Sequence, residues 1–125
     1  MSQVFISAAH KSSGKTTVTL GLCAALNARN FAIQPFKKGP DYIDASWLAA
    51  ASGKAARNLD TFLAEPAEVK RSFEKNAVND GINIIEGNRG LHDGLDVEGS
   101  HSSAALSKLI DCPVILVLDA TKATR

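Results

Sequence analysis

The stretch Val4-Phe5-Ile6-Ser7-Ala8-Ala9-His10-Lys11-Ser12-Ser13-Gly14-Lys15-Thr16-Thr17 decides the fold. An apolar run of strand character passes into a loop of small residues. The loop closes on Gly-Lys-Thr-Thr and opens a helical pattern. Such a loop wraps successive backbone N–H groups around an anion at a helix N-terminus, where the dipole also favours negative charge. Lys15 can then reach the β- and γ-phosphates of a nucleotide, and the Thr16 hydroxyl can ligate Mg²⁺. Ser13, Gly14, Lys15, Thr16 and Thr17 are the expected nucleotide contacts. The spacing G-x-x-x-x-G-K-[ST] holds except at its first glycine, where Ala9 stands, so the loop must tolerate a Cβ there. A glycine-serine turn with a lysine on a helix cap would use the same residues, but it would not need the strand in front.

Composition limits what surrounds this loop. The chain has 125 residues, which suggests one domain over residues 1–125. A chain of that length buries roughly two-thirds of its unfolded surface. Its 14 basic and 13 acidic residues are well mixed and leave a net charge of +1, so neither a nucleic-acid nor a membrane partner is expected. No apolar run approaches the ~20 residues that span a bilayer, and no signal-peptide pattern opens the chain. A cytoplasmic location follows as the expectation. Cys23 and Cys112 are unclustered and read as small reduced hydrophobes.

Periodicity places the remaining elements. Val18, Leu22, Ala25 and Leu26 share a helical face after the loop, with Gly21 allowing close packing on a sheet. Phe31–Phe36 reads as a second strand that Pro35 ends or confines to an edge. A short helix is expected over Ser46–Ala51, and another from Pro66 with Val69, Phe73 and Ala77 inward. Ile82–Ile85 is a third strand, and Ser100 or Ser102 caps a helix carrying Leu106, Leu109 and Ile110. Val114–Leu118 is a fourth, wholly apolar strand. Strands alternating with helices give an α/β fold, a parallel sheet covered by helices on both faces.

Ligands of such sheets collect at the carboxyl ends of the strands. The second strand delivers Lys37, Lys38, Gly39, Pro40, Asp41, Tyr42, Ile43 and Asp44, and the third delivers Glu86 through Gly94. An acid directly after a buried strand is well placed for Mg²⁺ or its water shell, which singles out Glu86. Asp41 and Asp44 fit a ligand site and ordinary turn chemistry equally well, and Lys37 with Lys38 could form a solvated rim. His92 and His101 lack metal-ligand spacing.

Taken together the loops resemble one family. Lys38-Gly-Pro-Asp-Tyr-Ile-Asp44, Arg57-Asn-Leu-Asp60, Glu86-Gly-Asn-Arg-Gly-Leu-His-Asp-Gly94 and Ser102-Ser-Ala-Ala-Leu-Ser-Lys108 occur in this order. They resemble the N-terminal domain of the cobyrinate a,c-diamide synthases, phosphate-loop ligases grouped with dethiobiotin synthetase and cobyric acid synthase. Ala9 replaces the usual glycine, Ala45 stands where proline is frequent, and His92 occupies an often aromatic position. None of these departures removes a carboxylate.

The resemblance implies a dethiobiotin synthetase-like phosphate-loop fold and an ATP- and Mg²⁺-dependent ligase. It would amidate the a- and c-carboxylates of a corrinoid through an acyl phosphate, using ammonia from glutamine. It implies that Asp41, Tyr42, Glu86 and Asp93 bind metal or act at the substrate. Thr16, Asp41 and Glu86 fall near Mg²⁺, and Tyr42 and Asp93 nearer the substrate carboxylates and the ammonia. A ligase of the same fold for another tetrapyrrole or a biotin precursor is the alternative. A partition-type ATPase is a further one, though its second lysine would fall at His10. The glutaminase domain of the family has no counterpart here, and the chain stops after the fourth strand. It therefore reads as a truncated domain, with an open sheet edge that favours homo-oligomers.

Overall fold

The computed structural model describes residues 1–94 and 97–121. Its centre is strand β1 (Ser2–Ala8), whose last four residues are fully buried. Five parallel strands form one sheet in the order β3-β2-β4-β1-β5. The others are β2 (Ile33–Lys38), β3 (Arg57–Leu59), β4 (Ile82–Gly90) and β5 (Val114–Val117). The helices are α1 (Lys15–Ala28), α2 (Tyr42–Ser52), α3 (Pro66–Asn76) and α4 (Ser103–Leu109). None of them is long and apolar enough to cross a membrane.

The sheet separates two cores. On one side Ile6, Cys23, Ile33, Leu48 and Ile84 pack beneath α1 and α2. On the other, Phe5, Phe36, Leu59, Val69, Phe73, Ile85, Leu106 and Ile110 pack beneath α3 and α4. Strand residues alternate between the two, as Phe5/Ile6 and Ile84/Ile85 illustrate. The cover ends at β5, where Val114, Ile115 and Leu116 are exposed. This strand lies outside the helical layers that the expected architecture placed on both faces.

Several expectations need correction. The three-residue β3 escaped notice, because so short a run carries no periodicity. Pro35 does not end β2, which continues to Lys38 with neighbours on both sides. Pairing with β3 begins only at Phe36, and the Pro35 carbonyl instead accepts from Gln34 Nε2 at 2.9 Å. The missing N–H thus costs no ladder bond. α2 starts at Tyr42 rather than Ser46, because the Asp41 side chain accepts the Asp44 N–H at 2.9 Å and caps the helix. Of the two serines, Ser102 is the cap of α4.

The inward face of α1 also differs. Leu22 and Leu26 pack inward as expected, but Val18 and Ala25 are exposed, and Thr19 and Cys23 are the buried residues. Thr19 tolerates burial because its hydroxyl donates to the Lys15 carbonyl at 2.8 Å. Gly21 faces outward, and a Cβ built there meets nothing within 4 Å. It is not a packing glycine. Gly21→Ala should therefore stabilise the protein by about 0.5–1 kcal/mol, through helix propensity alone. Denaturant unfolding checks this, and a loss of stability would show an unseen packing contact.

Candidate functional site

The loop after β1 is shaped by backbone conformation. Ser12 and Gly14 have φ of 63° and 89°, and Gly14 is the N-cap of α1 without any side-chain cap. The N–H groups at the helix start are left for a ligand. A hollow of about 200 Å³ lined by Ser12 through Thr17 lies over them. Ser13 is buried, with its hydroxyl donating to the His10 carbonyl at 2.8 Å, which fixes the loop.

Glu86 lies at the centre of the charges beside this hollow. It is fully buried, and its Oε1 accepts from Lys37 Nζ at 2.7 Å, Thr16 Oγ1 at 3.2 Å and Lys15 Nζ at 3.3 Å. Lys37 is 1% exposed, donates also to the Gly87 carbonyl at 2.9 Å and forms an ion pair with Asp44 Oδ2 at 3.1 Å. Two hydrogen bonds and two carboxylates thus partner its ammonium, as a buried cation requires. Glu86 Oε2, by contrast, is buried without a hydrogen-bond partner. A buried carboxylate oxygen left bare beside a threonine hydroxyl and a phosphate-sized hollow fits a hard divalent cation, which takes oxygen donors.

Burial lowers the Lys15 pKa, against the pull of Glu86, which raises it. Lys38 is lowered for the same first reason, with Asp60 opposing. Its Nζ donates to Asn88 Oδ1 at 2.9 Å. Burial pushes the thiols of Cys23 and Cys112 up to about 11 and about 12. Neither is a thiolate at neutral pH, so neither is a ready nucleophile.

The expected site residues fall into two groups. Ser13, Gly14, Lys15, Thr16 and Thr17 line the hollow, and Glu86 joins Lys15 and Thr16. Asp41, Tyr42 and Asp93 lie further along the strand ends. Asp41 is used as the α2 cap, while Asn58 Nδ2 holds its carbonyl at 3.0 Å. Tyr42 is 75% exposed on the first turn of α2. Asp93 Oδ2 accepts the Gly90 N–H at 2.9 Å and lines a cavity of about 410 Å³ with Lys38, Asp60 and Arg89. It is Asp44, through Lys37, that joins the Glu86 cluster. Lys37 is not a rim lysine. Its signal was its place at the carboxyl end of a strand, but only the β2–β4 register sets it opposite Glu86.

The path of β4 shapes the second group. Between Ile6 and Ala8 of β1, β4 advances from Glu86 to Gly90, a bulge that turns Asn88 and Arg89 out of the ladder. Gly87 permits it, because a Cβ there would come within 2.7 Å of Ser103 Oγ and 2.9 Å of Phe5.

Comparison with known proteins agrees with this geometry. The family described as the CobQ/CobB/MinD/ParA nucleotide binding domain matches residues 5–111. Cobyrinate a,c-diamide synthase of Magnetococcus marinus is 55% identical over 117 residues, covering 94% of this chain and 25% of that protein. The Listeria innocua protein of the same name is 46% identical over 95% of this chain and 27% of its own length. Hydrogenobyrinate a,c-diamide synthase of Streptomyces coelicolor is 45% identical, over 98% of this chain and 26% of that protein. The chain thus spans about a quarter of the length of these relatives. Among solved structures, chloroplast FtsY from Physcomitrella patens superposes with a TM-score of 0.56 at 18% identity, over 92% of this chain and 39% of that one. That likeness shows the fold alone.

Proposed function

This chain belongs to the CobQ/CobB/MinD/ParA nucleotide binding domain family, and we propose that it is the ATP-binding part of a ligase that amidates the a- and c-carboxylates of a cobyrinate-type corrinoid. The observation that carries the reading is the convergence of Lys15, Thr16 and Lys37 on one buried carboxylate whose second oxygen is bare.

A carboxylate is a poor electrophile, and it approaches ATP as one anion approaching another. The triphosphate lies on the N–H groups at the start of α1, and Lys15 leaves Glu86 for the β- and γ-phosphate oxygens. Lys37 stays behind as the counter-ion of Glu86. Thr16 and Glu86 are the residues that would hold Mg²⁺; Asp41, set apart from them at the α2 cap, is the further carboxylate proposed for the ion. An ion bound there would supply positive charge against the charge that develops on the phosphate oxygens. A substrate carboxylate oxygen attacks the γ-phosphorus, ADP leaves, and the acyl phosphate formed carries phosphate as its leaving group. Ammonia derived from glutamine, supplied by a glutaminase unit, displaces that phosphate to give the amide. Asp93, which lines the strand-end cavity, and Tyr42, exposed on the first turn of α2, are the residues proposed for orienting the carboxylate and the ammonia.

Lys15→Ala tests the nucleotide half directly. Losing one charge-assisted contact should weaken ATP-Mg²⁺ binding by about ten- to a hundredfold in titration calorimetry. Equal affinity in parent and variant would remove the basis of the assignment.

A further inference from the structure

Two cavities adjoin at the carboxyl end of the sheet. The inner one, about 410 Å³, is lined in part by Lys38, Phe62, Leu63, Arg89 and His101. The outer one, about 620 Å³, continues past Phe62, Leu63 and His101 to Glu65 and Lys108. Phe62 and Leu63 are 65% and 74% exposed, large apolar side chains held out on the loop between β3 and α3. That loop is not loose. Asp60 Oδ1 accepts the Phe62 N–H at 2.9 Å, the Phe62 ring meets His101 edge-on at 5.9 Å, and Thr61 Oγ1 lies 3.2 Å from His101 Nδ1. The result is a fixed apolar wall along a groove whose inner end carries Lys38 and Arg89 with Asp60 and Asp93, and whose outer end carries Lys108 with Glu65.

Arg89 is the unusual member. It sits in the left-handed region at φ 52°, where a residue with a Cβ is strained, and its neighbour Gly90 would have carried that conformation more easily. Its side chain is exposed, and among the described residues it makes no hydrogen bond or ion pair. The carboxylates nearby do not claim it: Asp60 and Asp93 are occupied by the backbone N–H groups of Phe62 and Gly90. The bulge of β4 holds a guanidinium at the groove mouth at a conformational cost that no hydrogen bond or ion pair with the described residues repays.

We infer that Arg89 is a specificity-determining residue that docks a peripheral carboxylate of a polycarboxylated macrocycle, whose apolar face lies against Phe62 and Leu63. The inference rests on the proposed corrinoid reading and deepens it. A guanidinium offers a planar fork that matches a carboxylate in two parallel hydrogen bonds, which a lysine cannot copy. An apolar wall beside a guanidinium unpaired among the described residues matches a flat ring edged with acids. ATP, docked over the start of α1, makes no use of Arg89.

The test is amidation kinetics with cobyrinate on the complete gene product, beside the melting temperature. Arg89→Ala should raise the KM for cobyrinate at least tenfold, with kcat and the KM for ATP within about twofold of the parent. Arg89→Lys should recover only part of the loss. Arg89→Gly removes the strained Cβ along with the guanidinium, so it should melt no lower than the parent while binding cobyrinate as poorly as Arg89→Ala. A structural role would instead lower the melting temperature of both and leave KM alone. An active parent with an unchanged cobyrinate KM in Arg89→Ala overturns the inference but not the function. A parent that binds ATP and never amidates cobyrinate overturns both.

Discussion

Glu86→Gln is expected to lower turnover about a hundredfold or more, with corrinoid affinity nearly unchanged. The substitution keeps the shape of the side chain and removes the charge on which Lys15, Thr16 and Lys37 converge. The bare Oε2, the atom best suited to a divalent cation, becomes part of a neutral amide. The readout specific to this role is the gain in ATP affinity on adding Mg²⁺, measured against excess chelator. That gain should shrink in Glu86→Gln and persist in the parent. Lys37 keeps Asp44 at 3.1 Å as a partner, so the variant should fold, with some loss of stability. If both turnover and the Mg²⁺ gain survive, the carboxylate is structural.

Lys37→Met should produce the largest loss of stability from a single change, about 3–5 kcal/mol, because it strips a buried carboxylate of its nearest cation. Lys37 and Glu86 are 2.7 Å apart with side-chain exposures of 1% and 0%. Lys15, 3.3 Å away and 12% exposed, is a poorer partner. Methionine fills the volume, so the effect isolates charge from packing. In a domain of this size the melting temperature should fall by roughly 10–20 °C. Adding Glu86→Leu should recover much of the loss, since an apolar pair is often as stable as the ion pair it replaces. A Lys37→Met protein melting within ~2 °C of the parent would mean that the pair does not form.

The sequence determined the parts of this protein that local chemistry encodes. Gly14-Lys15-Thr16 after an apolar run announced the phosphate loop, since the anion site is built from consecutive residues. Glu86 was legible because an acid closing an apolar run has few other uses. The strand does not end there as expected, but carries Glu86 within β4, which runs on to Gly90. Helix α3 was legible from Val69 and Phe73, where every inward position is apolar.

Tertiary structure decided whatever depends on partners distant in the chain. α1 turns Thr19 inward and Val18 outward because a hydrogen bond to Lys15 satisfies the Thr19 hydroxyl, which an apolar pattern cannot register. Lys37 reads as a surface lysine until β2 pairs with β4 and sets it against Glu86. The strand order β3-β2-β4-β1-β5 that makes this pairing is not the chain order, so no local rule foretells it. Arg89 owes its conformation to a slip in register between β1 and β4, a property of two strands together. Burial turns these positions into a site, because a charge taken out of water must find its counter-charge wherever the fold has placed one.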